Sequence, residues 1–334
     1  PLSVSALQTL GRCPLAFFFG RVLGIREMDT VGEEGDIEAY EMGELVHLLL
    51  ERTYAQLSAE NLFAGGEEAL VARGLALIGE LWDEVFEGPR TRIERFLPLL
   101  WELESSLWRG EVEAFVAADL GRLSTEGGRP LALEKIIEED IGIAPGIDGG
   151  ALRVHARLDR VMGFGDGTIR LGDYKTAGNP ANRLDLKEML RGVELQMPLY
   201  LMAAESWLRA EGKRGADVAG EILALGPSVD DEKRYTETGP CAVDPVKFNK
   251  IRAGIEETLA VLIETARAGN FPMNPSRRCG YCPYRRGCRR THPPSNARLQ
   301  AEPSLDRLRR VRAKIQKKPM LSDLSAPAAR GKGR

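Results

Sequence analysis

The chain has 334 residues, 43% of them hydrophobic and 28% charged, with a formal net charge of -3. That is enough for one large domain or two modest ones with a proper core. No apolar run approaches the roughly 20 residues needed to span a bilayer, and no basic stretch followed by an apolar signal core opens the sequence. These features exclude a membrane-spanning helical protein and make a cytoplasmic protein without membrane partners the expectation. The charge is unevenly spread, because residues 291–334 hold 11 Lys or Arg against 3 Asp or Glu. The reading is therefore an acidic domain over residues 1–290 and a basic, largely disordered tail over residues 291–334. Residue 1 is Pro and a helix start is already present at Ser3, so a piece of a longer polypeptide is expected. Five cysteines, an odd number with no export signal, argue against a disulfide framework and for metal ligation.

In chain order, residues 3–25 read as an apolar helix carrying Cys13 and the cluster Phe17, Phe18 and Phe19, followed by a loop rich in Gly, Glu and Asp to about residue 38. Helical spacing of apolar residues then marks one helix around His47 and others over about residues 66–87 and 91–120. From Pro130 to Thr176 the pattern becomes short alternating segments broken by Gly-rich turns, the sign of strands. Residues 184–211 return to helix, residues 219–226 read as a strand and residues 244–269 as a long amphipathic helix. A Cys-rich segment follows, then one short helix with Leu305, Leu308, Val311 and Ile315 on one face. Helices around alternating strands place the chain in the α/β class.

The chemistry concentrates in the strand region. A hairpin turning near residue 166 pairs positions whose numbers sum to about 332, which sets Asp159 opposite Asp173. Two carboxylates facing each other destabilise a sheet unless a cation lies between them, so the spacing points to a metal site. With a two-residue period, Asp173 and Lys175 share a face and Tyr174 takes the other. A lysine beside a metal can stabilise charge developing on a phosphate or hold an attacking water. His47 sits on a helix with Gly43 four residues before it, a glycine that allows close backbone approach, and a neutral imidazole can complete a shell begun by carboxylates. Glu134 opens the strand region and offers a further carboxylate. Gln196 and Tyr200 lie four residues apart on one face of a helix start, a pair able to hold a phosphate or a base.

Cys279, Cys282 and Cys288 form a Cys-x-x-Cys plus a third cysteine in a turn-rich stretch, which needs a fourth ligand from Cys13 or Cys241. Zinc and a four-iron cluster both accept four thiolates, and spacing alone leaves both open. Six arginines between Arg277 and Arg290 crowd the segment and could meet a nucleic-acid backbone.

In order along the chain stand Ser3, Ser5 and Leu7 with Cys13-Pro14, then Gly43 and His47, Leu158-Asp159-Arg160-Val161, Gly172-Asp173-Tyr174-Lys175-Thr176, Gln196 with Tyr200, and the terminal cysteines. This succession resembles the RecB-like branch of the PD-(D/E)XK nuclease superfamily, and within it the iron-sulfur nuclease domains of AddB and AdnB type. The resemblance implies a restriction-endonuclease-like mixed sheet flanked by helices, with a large helical N-terminal portion and a Cys-rich C-terminal staple. It implies Mg2+ or Mn2+ held by His47, Asp159 and Asp173, with Lys175 and Glu134 as further catalytic groups. It nominates Cys13 with Cys279, Cys282 and Cys288 as ligands of a [4Fe-4S] cluster, and Gln196 and Tyr200 as DNA contacts. The implied function is a DNA nuclease, an exonuclease on single-stranded ends, acting with a helicase in double-strand-break repair and recombination. A non-catalytic DNA-binding or assembly module of the same fold and a CRISPR-adaptation type nuclease are the alternatives. Two departures stand out: Ala156 replaces a glycine usual in relatives, and no Gly-x-x-x-x-Gly-Lys-Ser/Thr loop is present, so unwinding by ATP must come from a missing part or another subunit.

Overall fold

The computed structural model describes residues 1–26, 39–94, 98–141, 151–178, 180–213, 218–229 and 231–313. The Gly- and acid-rich loop expected before residue 38, Ile315 and residues 314–334 of the expected tail lie outside them.

Strand β1 (Leu2–Ser3) runs into α1 (Val4–Arg12), whose start is capped by Ser3 accepting from the Ala6 N–H at 3.1 Å. The single helix expected over residues 3–25 is broken at Cys13, whose extended backbone ends α1 before α2 (Pro14–Phe17) and a π-helical turn, Phe18–Val22. Pro14 explains the break, since it cannot donate the hydrogen bond that would continue α1. The helical layer follows: α3 (Ala39–Ala59), α4 (Glu67–Val85), α5 (Glu87–Glu94) and α6 (Pro98–Glu126). Then come β2 (Arg129–Asp140), β3 (Arg153–Gly163) and β4 (Ile169–Gly178), helices α7 (Leu186–Leu190) and α8 (Gln196–Ala210), and β5 (Val218–Val229). A short α9 (Tyr235–Thr238), β6 (Cys241–Val243) and α10 (Pro245–Arg267) precede α11 (Pro293–Ala301) and α12 (Asp306–Ala313). Among the described residues, no helix is long and apolar enough to cross a membrane.

The sheet is mixed and six-stranded. β2 and β4 pair antiparallel with β3, β5 is parallel to β4, and β6 is antiparallel to β5. β1 pairs parallel with β3 at Val154 and His155, while β4 pairs with residues 160–163. β2 occupies the whole of the other edge of β3, so β1 and β4 share one edge, and residues 156–159 between them have no strand partner there among the described residues. That gap is where the chemistry gathers.

Each face of the sheet buries its own core. On one side Val154, Leu158, Val161 and Ile222 pack against α1, α8 and α10. On the other, Met162, Tyr174 and Leu223 pack against α3, α4 and α6. The boundary expected near residue 290 falls inside the packed part, because Leu305, Leu308 and Val311 are buried in the first of these cores. Three buried apolar side chains of this size stabilise by several kcal/mol in all, at about 1.5–3 kcal/mol each, which fixes α12 despite its basic surroundings.

Candidate active site

The β3–β4 ladder runs Arg160↔Gly172 to Gly163↔Ile169, the register expected for Asp159 opposite Asp173, and it stops one pair short of them. There the strands part, and the Tyr174 N–H turns to donate to Asp159 Oδ2 at 3.0 Å. β2 contributes from the other side. Leu133 pairs with Arg160 and Lys135 with Leu158, which brings Glu134 beside Asp159, with Glu134 held at φ 43°. A non-glycine residue in this left-handed region costs on the order of 1–3 kcal/mol and persists only where its surroundings hold it.

From the helical layer, α3 delivers His47. Its Nδ1 lies 3.6 Å from Glu134 Oε1 and 3.6 Å from Asp159 Oδ2. The close approach of α3 depends on Gly43, one turn earlier, since a Cβ there would stand 3.2 Å from Thr176 Oγ1. The ring of His47 meets the Tyr174 ring edge-on at 5.4 Å. The ligand atoms of His47, Glu134 and Asp159 all lie within 4.8 Å of one another. Glu134 Oε1 is buried without a hydrogen-bond partner, while Oε2 is taken by Arg157. A buried carboxylate oxygen without a hydrogen-bond partner, facing an imidazole nitrogen and a second carboxylate, fits a cation.

Asp173 lies next to this trio rather than within it. Its Oδ2 is 2.6 Å from Lys175 Nζ, and its Oδ1 accepts from Gln196 Nε2 at 3.1 Å. Gln196 also donates to the Tyr200 hydroxyl at 3.2 Å. Gln196 and Tyr200, one turn apart on α8, thus stand beside Asp173. Gln8 sets the start of α8, its Oε1 accepting from the N–H groups of Leu195 and Gln196 at 2.6 and 2.8 Å.

The electrostatics follow from burial. Asp159 is pushed up to about 7 by burial and by the Asp173 carboxylate, against the opposing charges of His47 and Lys175. Burial lowers the His47 pKa, but Glu134 and Asp159 outweigh it and the net direction is up. A cation must displace these protons, so its apparent affinity should fall about tenfold per pH unit below about 7 for each proton released. The expected result is a rise in thermal midpoint with Mn2+ that is large at about pH 8 and small at about pH 6. A pH-independent shift in differential scanning fluorimetry would contradict it.

One further charged pair, which the motif reading missed, supports the site. Arg160, buried between Asp159 and Val161, makes two hydrogen bonds to Asp119 of α6, at 2.5 and 3.0 Å. Asp119 also accepts from the hydroxyls of Tyr54 and Tyr235. Gly172 leaves the space for Arg160, as a Cβ there would stand 3.3 Å from its Nε. The signal was present: Asp119 falls at helical spacing among Val112, Phe115, Val116 and Leu123, on the apolar face of α6.

Away from the carboxylates, Cys13, Cys279, Cys282 and Cys288 line one cavity, together with Arg12, Arg278 and other arginines. Burial pushes the Cys282 and Cys288 thiols up, and the neighbouring cysteines add to this. Cys241 is elsewhere, on β6. Stacking of Phe18 on Phe271, at 4.8 Å, docks the stretch before the Cys-rich segment against the turn that follows Cys13.

A mixed sheet parted at its centre, with carboxylates, an imidazole and a lysine at the gap, is an arrangement able to hold a divalent cation beside a phosphodiester. The chain belongs to the PD-(D/E)XK nuclease superfamily, whose profile matches residues 1–289. It is also similar to an ATP-dependent helicase/deoxyribonuclease subunit of Moorella thermoacetica, with 26% identity over 86% of this chain. The chain spans about 30% of the length of that relative.

Proposed function

We propose that this domain is a divalent-cation-dependent deoxyribonuclease that digests single-stranded DNA ends beside a helicase, in double-strand-break repair and recombination. The observation that carries the reading is the His47, Glu134 and Asp159 trio, with a buried carboxylate oxygen of Glu134 that has no hydrogen-bond partner, set against the Asp173–Lys175 pair. The relative's description as part of a helicase/deoxyribonuclease supports the DNA substrate and the helicase partner.

His47, Glu134 and Asp159 would hold Mg2+ or Mn2+, with Asp173 at its side. A divalent cation supplies Lewis-acid polarisation of a phosphodiester and acidifies water. Lys175, tethered by Asp173, sets its amine end beside the carboxylates, where it can stabilise charge building on a phosphate or orient the attacking water. Gln196, which also donates to the Tyr200 hydroxyl, holds the Asp173 carboxylate in place, and the two residues form the site's wall toward a DNA strand. The same reading gives Cys13, Cys279, Cys282 and Cys288 to a [4Fe-4S] cluster that staples the Cys-rich segment to α1, supported by their shared cavity.

The purified chain should shorten end-labelled single-stranded DNA in Mg2+ or Mn2+ and stop on chelation. Lys175→Ala should lower the rate by about 10²–10³-fold without loss of folding. DNA binding with no cleavage under either ion would instead favour the non-catalytic module, and equal rates in wild type and Lys175→Ala would remove the lysine from the chemistry.

A further inference from the structure

The two arms that carry the four thiols come from opposite ends of the chain, and one buried carboxylate joins them. Glu194, in the turn between α7 and α8, has a side chain only 3% exposed. Its Oε2 accepts from Arg12 Nη2 at 2.9 Å, and its Oε1 is bonded by Arg278 Nη2. Arg12 immediately precedes Cys13, and Arg278 immediately precedes Cys279. Arg183 lies 3.8 Å from Oε2 on the same side. The Arg12 carbonyl accepts from Asn274 Nδ2 at 2.8 Å, tying together residues 262 apart in sequence.

We propose that Glu194 is the positioning residue of the four-thiol centre, a clasp whose two oxygens each hold one of the arms bearing Cys13 and Cys279. The inference rests on the reading of these thiols as metal ligands and adds to it a residue that touches none of them. Two charge-assisted hydrogen bonds to one buried carboxylate are stronger than neutral ones and fix direction as well as distance. Closing so long a loop costs entropy, and a clasp formed by the protein itself meets that cost before any metal arrives. Without the carboxylate, the guanidinium groups of Arg12, Arg278 and Arg183 would face one another with nothing between them, and like charges would push the arms apart.

The test follows the metal rather than cleavage. The chain is purified anaerobically with whatever iron or zinc it carries, and release to a strong chelator is timed where each variant keeps a native far-ultraviolet signal. Glu194→Gln and Arg278→Ala should release metal on the order of 10–100-fold faster than wild type, with Glu194→Asp in between. Glu205→Gln, which weakens the Arg252–Glu205 ion pair between α10 and α8, should match wild type. Should Glu194→Gln fail to fold, Arg278→Ala decides, because the Arg278 side chain is 46% exposed and its loss is tolerable. Equal release from wild type and these variants overturns the clasp and leaves the thiol centre standing. A wild-type protein with neither iron nor zinc, unchanged by Cys13→Ser, overturns the thiol centre and the clasp with it.

Discussion

Asp159→Asn is expected to abolish cleavage, by on the order of 10³-fold or more, while making the metal-free protein more stable than wild type at neutral pH and above. The loss follows from geometry: Asp159 is the carboxylate shared between the His47 contact and the Tyr174 N–H, and asparagine keeps the acceptor for that N–H but not the charge. The gain follows from titration. A carboxyl pushed up to about 7 in the fold, against about 3.9 in the unfolded chain, favours the folded state fully at low pH. That contribution is lost as pH rises from about 4 through about 7, at up to about 1.4 kcal/mol per unit. Asparagine does not titrate, so the advantage of the variant should open over the same window. Urea unfolding in EDTA at several pH values, beside cleavage rates in Mg2+, measures both. A variant less stable than wild type at about pH 8 would show that Asp159 is not a strained, cation-seeking group.

The order of helices and strands was legible because each element keeps its own period over its whole length, as in the helix around His47 or the strand pair flanking residue 166. Hairpin register was legible for the same local reason, and Asp159, Asp173 and Lys175 came with it. The place of Glu134 was not. It depends on β2 pairing with β3 and on a left-handed backbone at Glu134 itself, and neither leaves a mark on the nearby sequence. The group whose ligand atoms lie together is His47, Glu134 and Asp159, with Glu134 expected as a further catalytic carboxylate, while Asp173, expected as a ligand, stands beside it. Cys13 could be chosen over Cys241 by resemblance alone, because the docking of the π-helical turn on Phe271 that supports the choice is tertiary. Beyond residue 290 arginines dominate the composition, while three apolar side chains, Leu305, Leu308 and Val311, carry the packing of α12.

Asp119→Ala carries the largest expected loss of stability. Asp119 and Arg160 are both fully buried, and breaking a buried pair by removing one partner costs about 3–5 kcal/mol, since the other charge stays behind unpaired. Here the residue removed also serves the Tyr54 and Tyr235 hydroxyls and Arg122, so several donors lose their acceptor at once. At about 2–4 °C per kcal/mol, the midpoint should fall by roughly 10 °C. Burial on its own would raise the Asp119 pKa, but Arg160 and the other donors hold it down at about 2. The stabilisation is therefore complete above about pH 4 and fades only as pH falls toward about 2, so the deficit of the variant should be flat across neutral pH. The double variant Asp119→Leu with Arg160→Met separates the causes, because it removes both charges. If it recovers much of the loss, the cost was an orphaned guanidinium rather than a missing attraction. If single and double variants unfold alike, the pair contributes through packing of α6 on β3, and Arg160 does not owe its place beside Asp159 to its charge.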